Sequence, residues 1–138
     1  MDKNTQTAIA MLAGGDYTCV VCKADTIHTA TDRGVKPLLH WLDSGLDLNG
    51  FCAADRVVGR ATAFLYCLLG VKEVYARVMS QPARDVLESC GIVSYTDKVV
   101  PGIINRRGTG PCPFEAAVMD IAKADEALVA IRAKLASM

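Results

Sequence analysis

The sequence has no excess of charge of either sign. Its 15 Lys and Arg residues balance its 15 Asp and Glu residues, so the formal net charge is zero. A strongly basic field draws nucleic acid or an anionic lipid surface to a protein, so this balance argues against both partners. The sequence also has no apolar run long enough to span a membrane, because Arg60 and Tyr66 interrupt its most apolar segment, residues 57–71. We therefore expect no nucleic-acid partner and no membrane partner.

A secretory signal is also missing from the first residues, MDKNTQTAIAMLAGG, which lack a basic flank followed by an apolar block. A cytoplasmic location is therefore predicted, and the six cysteines are interpreted as reduced thiols rather than as a disulfide framework. No repeat, low-complexity tract or linker divides the chain, so residues 1–138 are expected to form one domain. With 51% apolar residues, the composition predicts a sizeable core and makes a homo-oligomer plausible.

Hydrophobic spacing and turn residues predict alternating helices and strands. The clearest helical spacing lies between about Ala53 and Leu69, and Gly70 supplies its end. Two strand–helix–strand passages imply parallel pairing with right-handed crossovers. The predicted fold class is α/β, a three-layer α/β/α arrangement in which helices flank a mixed sheet of about four or five strands. Two other helices are predicted over residues 3–13 and 125–136, and three more are predicted to begin at Val35, Pro82 and Pro113. The predicted strands cover residues 17–23, 26–31, 71–79 and 92–100.

Residues 19–22, CVVC, have the C-x-x-C spacing of many metal and redox sites. Residues three apart on a strand point to opposite faces, so this pair is poorly placed to chelate a metal or to form a disulfide. Two small core cysteines are the better interpretation. Cys67 and Cys90 fall on apolar helix faces and are interpreted as structural, and His28 and His40 make no metal-ligand spacing. No metal and no cofactor is expected.

Residues 105–115, NRRGTGPCPFE, form the most distinctive stretch of the chain. Proline is favoured at the first position of a helix, so Pro113 predicts Cys112 at the N-cap and Glu115 in the first turn. A thiol there faces unpaired amide groups and the positive end of the helix, which favour the thiolate. The glycines let backbone amides approach an anion, and arginine forks match phosphate or carboxylate. A rigid loop with solvated arginines and a buried small thiol is the alternative. The predicted ligand-binding residues of this loop are Asn105, Arg106, Arg107, Gly108, Thr109 and Gly110.

Three stretches carry a resemblance that covers nearly the whole chain. They are GDYTCVVCKADTIHTATDRGVKPLLHWLD, GFCAADRVVGRATAFLYCLLGVKEVYARVMS and PGIINRRGTGPCPFEAAV, and they occur in order with similar spacing. The chain resembles a family of small uncharacterised bacterial and archaeal proteins, a domain of unknown function with a cytidine-deaminase-like fold. The resemblance implies that fold and no settled activity.

The zinc-binding motifs of deaminases are incomplete in this chain. Those enzymes need three protein ligands for the zinc and a glutamate that moves protons. Residues 52–55, Cys-Ala-Ala-Asp, are similar to the first motif but carry the acid one residue late and one carbon shorter. Residues 81–83, Gln-Pro-Ala, keep the proline of the second motif and lack its thiols, and residues 111–115 lie one strand too late to replace it. Zinc-dependent deamination is therefore not expected.

Five further residues are considered for the same cleft. Cys52 and Asp55 are expected to open the long helix, where relatives of this fold bind ligands, although an acid in a first turn also complements the helix dipole. Arg56 and Arg60, four residues apart, are expected on one face of that helix, either as an exposed polar stripe or within reach of an acidic ligand. Lys36 either supplies a charge to the cleft or is a solvated turn residue.

The predicted function is the binding of a small anionic metabolite, nucleotide-like or phosphate-like, by a deaminase-like fold that lacks the zinc motifs. In an enzymatic form, Cys112 is the nucleophile, Asp55 or Glu115 transfers the proton and Arg106 clamps the anion. The alternatives are a non-catalytic regulatory or interaction module, and a thiol redox sensor at Cys112.

Overall fold

A computed structural model describes residues 1–105 and 107–138. In that part of the chain, the strands are β1 Cys19–Lys23, β2 Thr26–Ala30, β3 Cys52–Val58, β4 Glu73–Ser80 and β5 Val93–Val100. The helices of the same part are α1 Lys3–Gly14, α2 Lys36–Asp43, α3 Arg60–Leu69, α4 Gln81–Ser89, α5 Pro113–Val118 and α6 Ala124–Ala136. Each predicted element except the long helix that begins near Ala53 has a counterpart of the same type.

The strands described here form one five-stranded mixed sheet in the order β2-β1-β3-β4-β5. β1 runs antiparallel to both of its neighbours, β2 and β3. β3, β4 and β5 are parallel, and α3 and α4 make the crossovers that parallel neighbours require. The prediction of an α/β fold with a mixed sheet of four or five strands flanked by helices is confirmed.

Helices pack on both faces of the sheet. On one face, Ala8 and Leu12 of α1 cluster with Val20 and Ala54 of the strands. On the other face, α3 is central and contacts α2, α4, α5 and α6. Its Leu65 is fully buried there, and burying a leucine side chain contributes roughly 1.5–3 kcal/mol relative to leaving it exposed. The opposed helices make β3 a strand that is covered on both sides.

The predicted helix from Ala53 to Leu69 is wrong in its first half, because Cys52–Val58 is strand β3. A strand buried on both faces loses the apolar–polar alternation that identifies a strand, and its alanines also suit a helix. Gly59 then adopts an extended conformation as the N-cap of α3, which begins at Arg60. Asp55 and Arg56 are consequently strand residues, and Arg56 and Arg60 do not share a helix face.

The prediction that all six cysteines are reduced also needs correction, because Cys67 and Cys90 form a disulfide. Packing of α3 against α4 places their Cα atoms 6.1 Å apart, a separation that a disulfide can bridge. Cys19 and Cys22 are free and lie in the core clusters of opposite faces of the sheet, as period-two alternation predicts.

No helix in the described part of the chain has both the length and the apolarity to cross a membrane.

Candidate functional site

A cavity of about 350 Å³, called here the site cavity, opens at the end of the sheet where β3 has its C-terminus. β1 begins at the same end of the sheet because it is antiparallel to β3, and its first residue, Cys19, pairs with Asp55. The carboxyl ends of strands in open α/β sheets are the usual place for ligand sites. The polar lining residues are Thr18, Arg33, Asp55, Arg56, Thr62, Cys112 and Glu115, and the larger apolar ones are Val35, Val57, Ile103 and Phe114.

Asp55 lines the site cavity and has a pKa above the usual value of a carboxyl group. Its Oδ2 atom accepts a hydrogen bond of 2.7 Å from the Tyr66 hydroxyl, and its Oδ1 atom accepts one of 2.8 Å from the backbone N–H of Arg56. Burial disfavours the charged form and, despite these hydrogen bonds, raises the pKa of Asp55 from 3.8 to about 6. A carboxyl group with such a pKa gains and loses its proton close to neutral pH, as a proton-transfer group requires.

Behind Asp55, Tyr66 and Cys19 continue the hydrogen bonding into the core. Tyr66 is 0% exposed, and its hydroxyl lies 3.1 Å from the Cys19 sulfur. Burial raises the pKa values of both side chains well above their usual values, so both carry their hydrogens at neutral pH. Sequence reasoning missed both residues, because Tyr66 looks like one more member of the apolar stripe of α3 and Cys19 looks like core.

Arg56 lines the site cavity and carries a buried donor without a partner. Its Nε atom is buried and has no hydrogen-bond partner among the described residues. Its backbone N–H is satisfied, because it donates to the Thr18 carbonyl oxygen at 3.2 Å as well as to Asp55. Nearly all buried polar groups in proteins have a partner, and an exception often marks a functional role or a place for a water molecule or an ion. Arg33, which is exposed, adds a second guanidinium group to the lining.

Glu115 caps the first turn of α3 from another helix. Its Oε1 atom accepts from the backbone N–H of Arg60 at 2.6 Å, and its Oε2 atom accepts from the backbone N–H of Ala61 at 2.9 Å. Two of the unpaired amide groups at this helix start are thereby satisfied, and the carboxylate complements the helix dipole. Gly59 leaves room for it, because a Cβ atom at that position would overlap the carboxylate. Both oxygens of Glu115 therefore already have structural partners.

Arg60 is directed away from the site cavity. Its Nε atom donates to the Val118 carbonyl oxygen at 3.1 Å, and one of its terminal nitrogens donates to the Ile121 carbonyl oxygen. Its guanidinium group also lies over the Phe64 ring, 5.0 Å from the centroid. Arg60 thus ties the start of α3 to the end of α5 and to the segment that follows.

In the described part of the loop before α5, Ile103 and Cys112 line the site cavity. Asn105 closes a turn by donating its backbone N–H to the Gly110 carbonyl oxygen at 2.8 Å and accepting from the Thr109 N–H at 3.1 Å. Cys112 is the N-cap of α5 and lines the cavity, although its side chain makes no capping hydrogen bond. Arg106 lies outside the described residues.

The described lining brings together four of the residues that the sequence singled out: Asp55, Arg56, Cys112 and Glu115. Lys36 is exposed at the start of α2, and Cys52 is buried at the other end of β3. Neither residue lines the site cavity as described, and the same holds for Asn105 and residues 107–110. In the described ranges, no group of three or more His, Cys, Asp or Glu side chains is placed to hold a metal ion.

Fold and site together define an α/β protein in which a five-stranded mixed sheet, flanked by helices, carries a partly polar cavity at the end of its central strand. The chain belongs to the TM1506 family, a domain of unknown function (DUF1893), which matches residues 7–135. It is similar to the crystal structure, at 2.70 Å resolution, of a DUF1893 family protein (TM1506) from Thermotoga maritima, with a TM-score of 0.85 and 24% sequence identity over 100% of this chain and 92% of that chain. At this identity the likeness shows the fold alone. No curated protein matches the chain.

Proposed function

We propose that this protein binds a small anionic metabolite, nucleotide-like or phosphate-like, in the site cavity. The observation that carries the proposal is the buried Nε atom of Arg56, which has no acceptor among the described residues. A buried donor without a partner costs about 1–3 kcal/mol. Because this atom has almost no exposed surface, a phosphate or carboxylate oxygen in the cavity removes that cost once the Arg56 side chain turns toward it.

The rest of the lining supports an anion of modest size. Arg33 adds a second positive charge, and the forked geometry of a guanidinium group matches phosphate and carboxylate oxygens. Val57 and Phe114 offer apolar surface for the body of the ligand. A volume of about 350 Å³ lies near the lower end of the range for small-molecule sites, roughly 300–1,000 Å³. A metabolite with one ring and one anionic group suits these dimensions.

Cys112 supports an enzymatic form of the same proposal. Its half-buried thiol lines the cavity together with Asp55, so a bound ligand is exposed to both a nucleophile and a proton acceptor. In a thiol sensor, Cys112 reacts without a ligand. Alkylation by iodoacetamide distinguishes the enzyme from the thiol sensor. A bound anion slows the alkylation of Cys112 in the enzyme and leaves the rate unchanged in the sensor.

The anion site is tested by thermal unfolding and by calorimetric titration. The probes are inorganic phosphate, ribose 5-phosphate and uridine 5′-monophosphate. At about one hundred times its Kd, a probe that binds the folded protein stabilises it by about 2.7 kcal/mol. We expect at least one probe to stabilise the wild type in this way, and Arg56→Gln to abolish the effect.

Arg84→Gln is the matched control, because Arg84 lies on α4 and does not line the site cavity. It is expected to keep the wild-type response to the probes. Equal affinity of the wild type and of Arg56→Gln, or no stabilisation of the wild type by any of the three probes, contradicts the proposal.

A further inference from the structure

We propose that Tyr66 and Cys19 are positioning residues: their buried hydrogen-bond chain orients the Asp55 carboxylate so that it serves as the proton acceptor of the site cavity. The hydrogen that Asp55 accepts comes from an N–H or O–H group of the bound molecule. In that respect the inference rests on the proposed function, and it adds a requirement to it, since the ligand must carry such a donor beside its anionic group.

The hydrogen-bond chain joins side chains from three separate elements. Cys19 and Asp55 are paired positions on β1 and β3, and Tyr66 reaches both from α3. The Tyr66 hydroxyl lies 2.7 Å from Asp55 Oδ2 and 3.1 Å from the Cys19 sulfur. A phenylalanine would fill the same apolar space without bringing a polar atom into the core, where an unpaired hydroxyl is unfavourable. The hydroxyl is therefore explained by its contacts with these two residues.

The direction of each hydrogen bond follows from counting hydrogens. Tyr66 has one hydroxyl hydrogen and donates it to the Asp55 carboxylate, which has none to offer. The phenol oxygen then acts as the acceptor toward Cys19, so the thiol donates its S–H. Both links thus help to hold a negative charge on Asp55, and they fix Oδ2 toward the core.

Several charged or titratable groups surround Asp55. From β1 and α3 come Cys19 and Tyr66, and the cavity lining adds Arg33, Arg56, Cys112 and Glu115. Burial is the largest influence and raises the pKa of Asp55, while the Tyr66 hydroxyl is the largest opposing one. Without that hydroxyl, more of Asp55 would be protonated at neutral pH and would donate a hydrogen bond instead of accepting one.

The test measures the titration of Asp55 in the ligand-free protein. Aspartate labelled with carbon-13 at the side-chain carboxyl is followed by NMR from about pH 4 to about pH 9, and the signal is assigned through its loss in Asp55→Asn. The wild-type midpoint is expected at about 6. Tyr66→Phe is expected to raise it by about one unit or more, and Cys19→Ala to raise it by less. Tyr95→Phe, on β5, is the control and is expected to leave it unchanged.

A second measurement keeps the Tyr66 ring and its hydroxyl in place. Replacing tyrosine by 3-fluorotyrosine throughout makes the Tyr66 hydroxyl a stronger donor, which is expected to lower the midpoint of Asp55. A midpoint that does not move in Tyr66→Phe, or does not fall with 3-fluorotyrosine, overturns the positioning role. Because no ligand is present, this outcome is distinguishable from failure of the anion site, which is read from Arg56→Gln.

Discussion

Replacing Asp55 by asparagine is expected to stabilise the protein at neutral pH. The pKa of Asp55 is about 6 in the folded protein, compared with the ordinary value of 3.8. The folded state therefore binds more protons than the unfolded state between these two pH values, and the free energy of unfolding falls as the pH rises through them. Asparagine has no charge to bury, and its carbonyl oxygen still accepts from the Tyr66 hydroxyl. Its amide nitrogen cannot accept from the backbone N–H of Arg56, which keeps the Thr18 carbonyl oxygen as its acceptor.

The size of the effect follows from the same two pKa values. A shift from 3.8 to about 6 corresponds to about 3 kcal/mol, since one unit is worth about 1.4 kcal/mol. Because Asp55 keeps some contact with solvent in the site cavity, we take this figure as an upper limit. Below pH 3.8, Asp55→Asn should have the same free energy of unfolding as the wild type. Above that pH the variant should become the more stable protein, and the difference should be largest above about pH 6.

Urea unfolding of the two proteins at a series of pH values measures this difference, and the contributions of all other titrating groups cancel in the comparison. The control is Asp120→Asn on the exposed turn after α5, where a surface change is expected to alter the stability by less than about 0.5 kcal/mol at every pH. If Asp55→Asn is no more stable than the wild type at about pH 7.5, or if its advantage does not depend on pH, then Asp55 is not a buried carboxylate held at the expense of stability.

Two further predictions concern the scaffold around the site cavity. Glu115→Ala removes the cap of α3 and should lower the free energy of unfolding by about 1–2 kcal/mol. Gly59→Ala should be destabilising in the wild type and less so in Glu115→Ala, because the three heavy atoms nearest to the added Cβ atom all belong to the Glu115 carboxylate group. Additive effects of the two substitutions in urea unfolding would contradict this coupling. The Cys67–Cys90 disulfide spans 23 positions, and its reduction should lower the free energy of unfolding of the wild type by up to about 3 kcal/mol. The same reductant should leave the stability of Cys67→Ser unchanged. Equal responses of the two proteins would show that the disulfide does not contribute to stability.

Most of the fold could be predicted from the sequence, because turn residues and apolar spacing mark its edges. Gly70 does end a helix in the left-handed conformation, with a φ of 74°, and Pro82 and Pro113 do open helices. The failure at β3 has a physical cause. Ala53 and Ala54 are small enough to lie between helices on both faces of the sheet, and neither the period of a strand nor the period of a helix can be read from two buried alanines.

Prediction of the site was partial for a related reason. Asp55 and Cys112 carry chemical functions that attract attention in a sequence, and the fold brings both to the site cavity. The contacts that give them their properties join distant positions. Tyr66 is 47 residues from Cys19, and Glu115 is 55 residues from the Arg60 amide that it caps. No spacing rule along the chain relates such pairs, since the packing of α3 on the sheet and of α5 on α3 creates them.

Two carboxylates line the site cavity, and their surroundings give them opposite relations to the fold. Glu115 binds the amide groups of a helix start, so its negative charge is balanced by the scaffold and its removal should destabilise the protein. Asp55 is held by one buried hydroxyl and backbone N–H groups that do not offset its burial, so its removal should stabilise the protein. Groups that lower the stability of a fold are often found where function requires them, and the proposed function gives Asp55 such a role. The signs of these two substitutions therefore distinguish a carboxylate that stabilises the scaffold, Glu115, from the proposed proton acceptor, Asp55, without the use of a ligand.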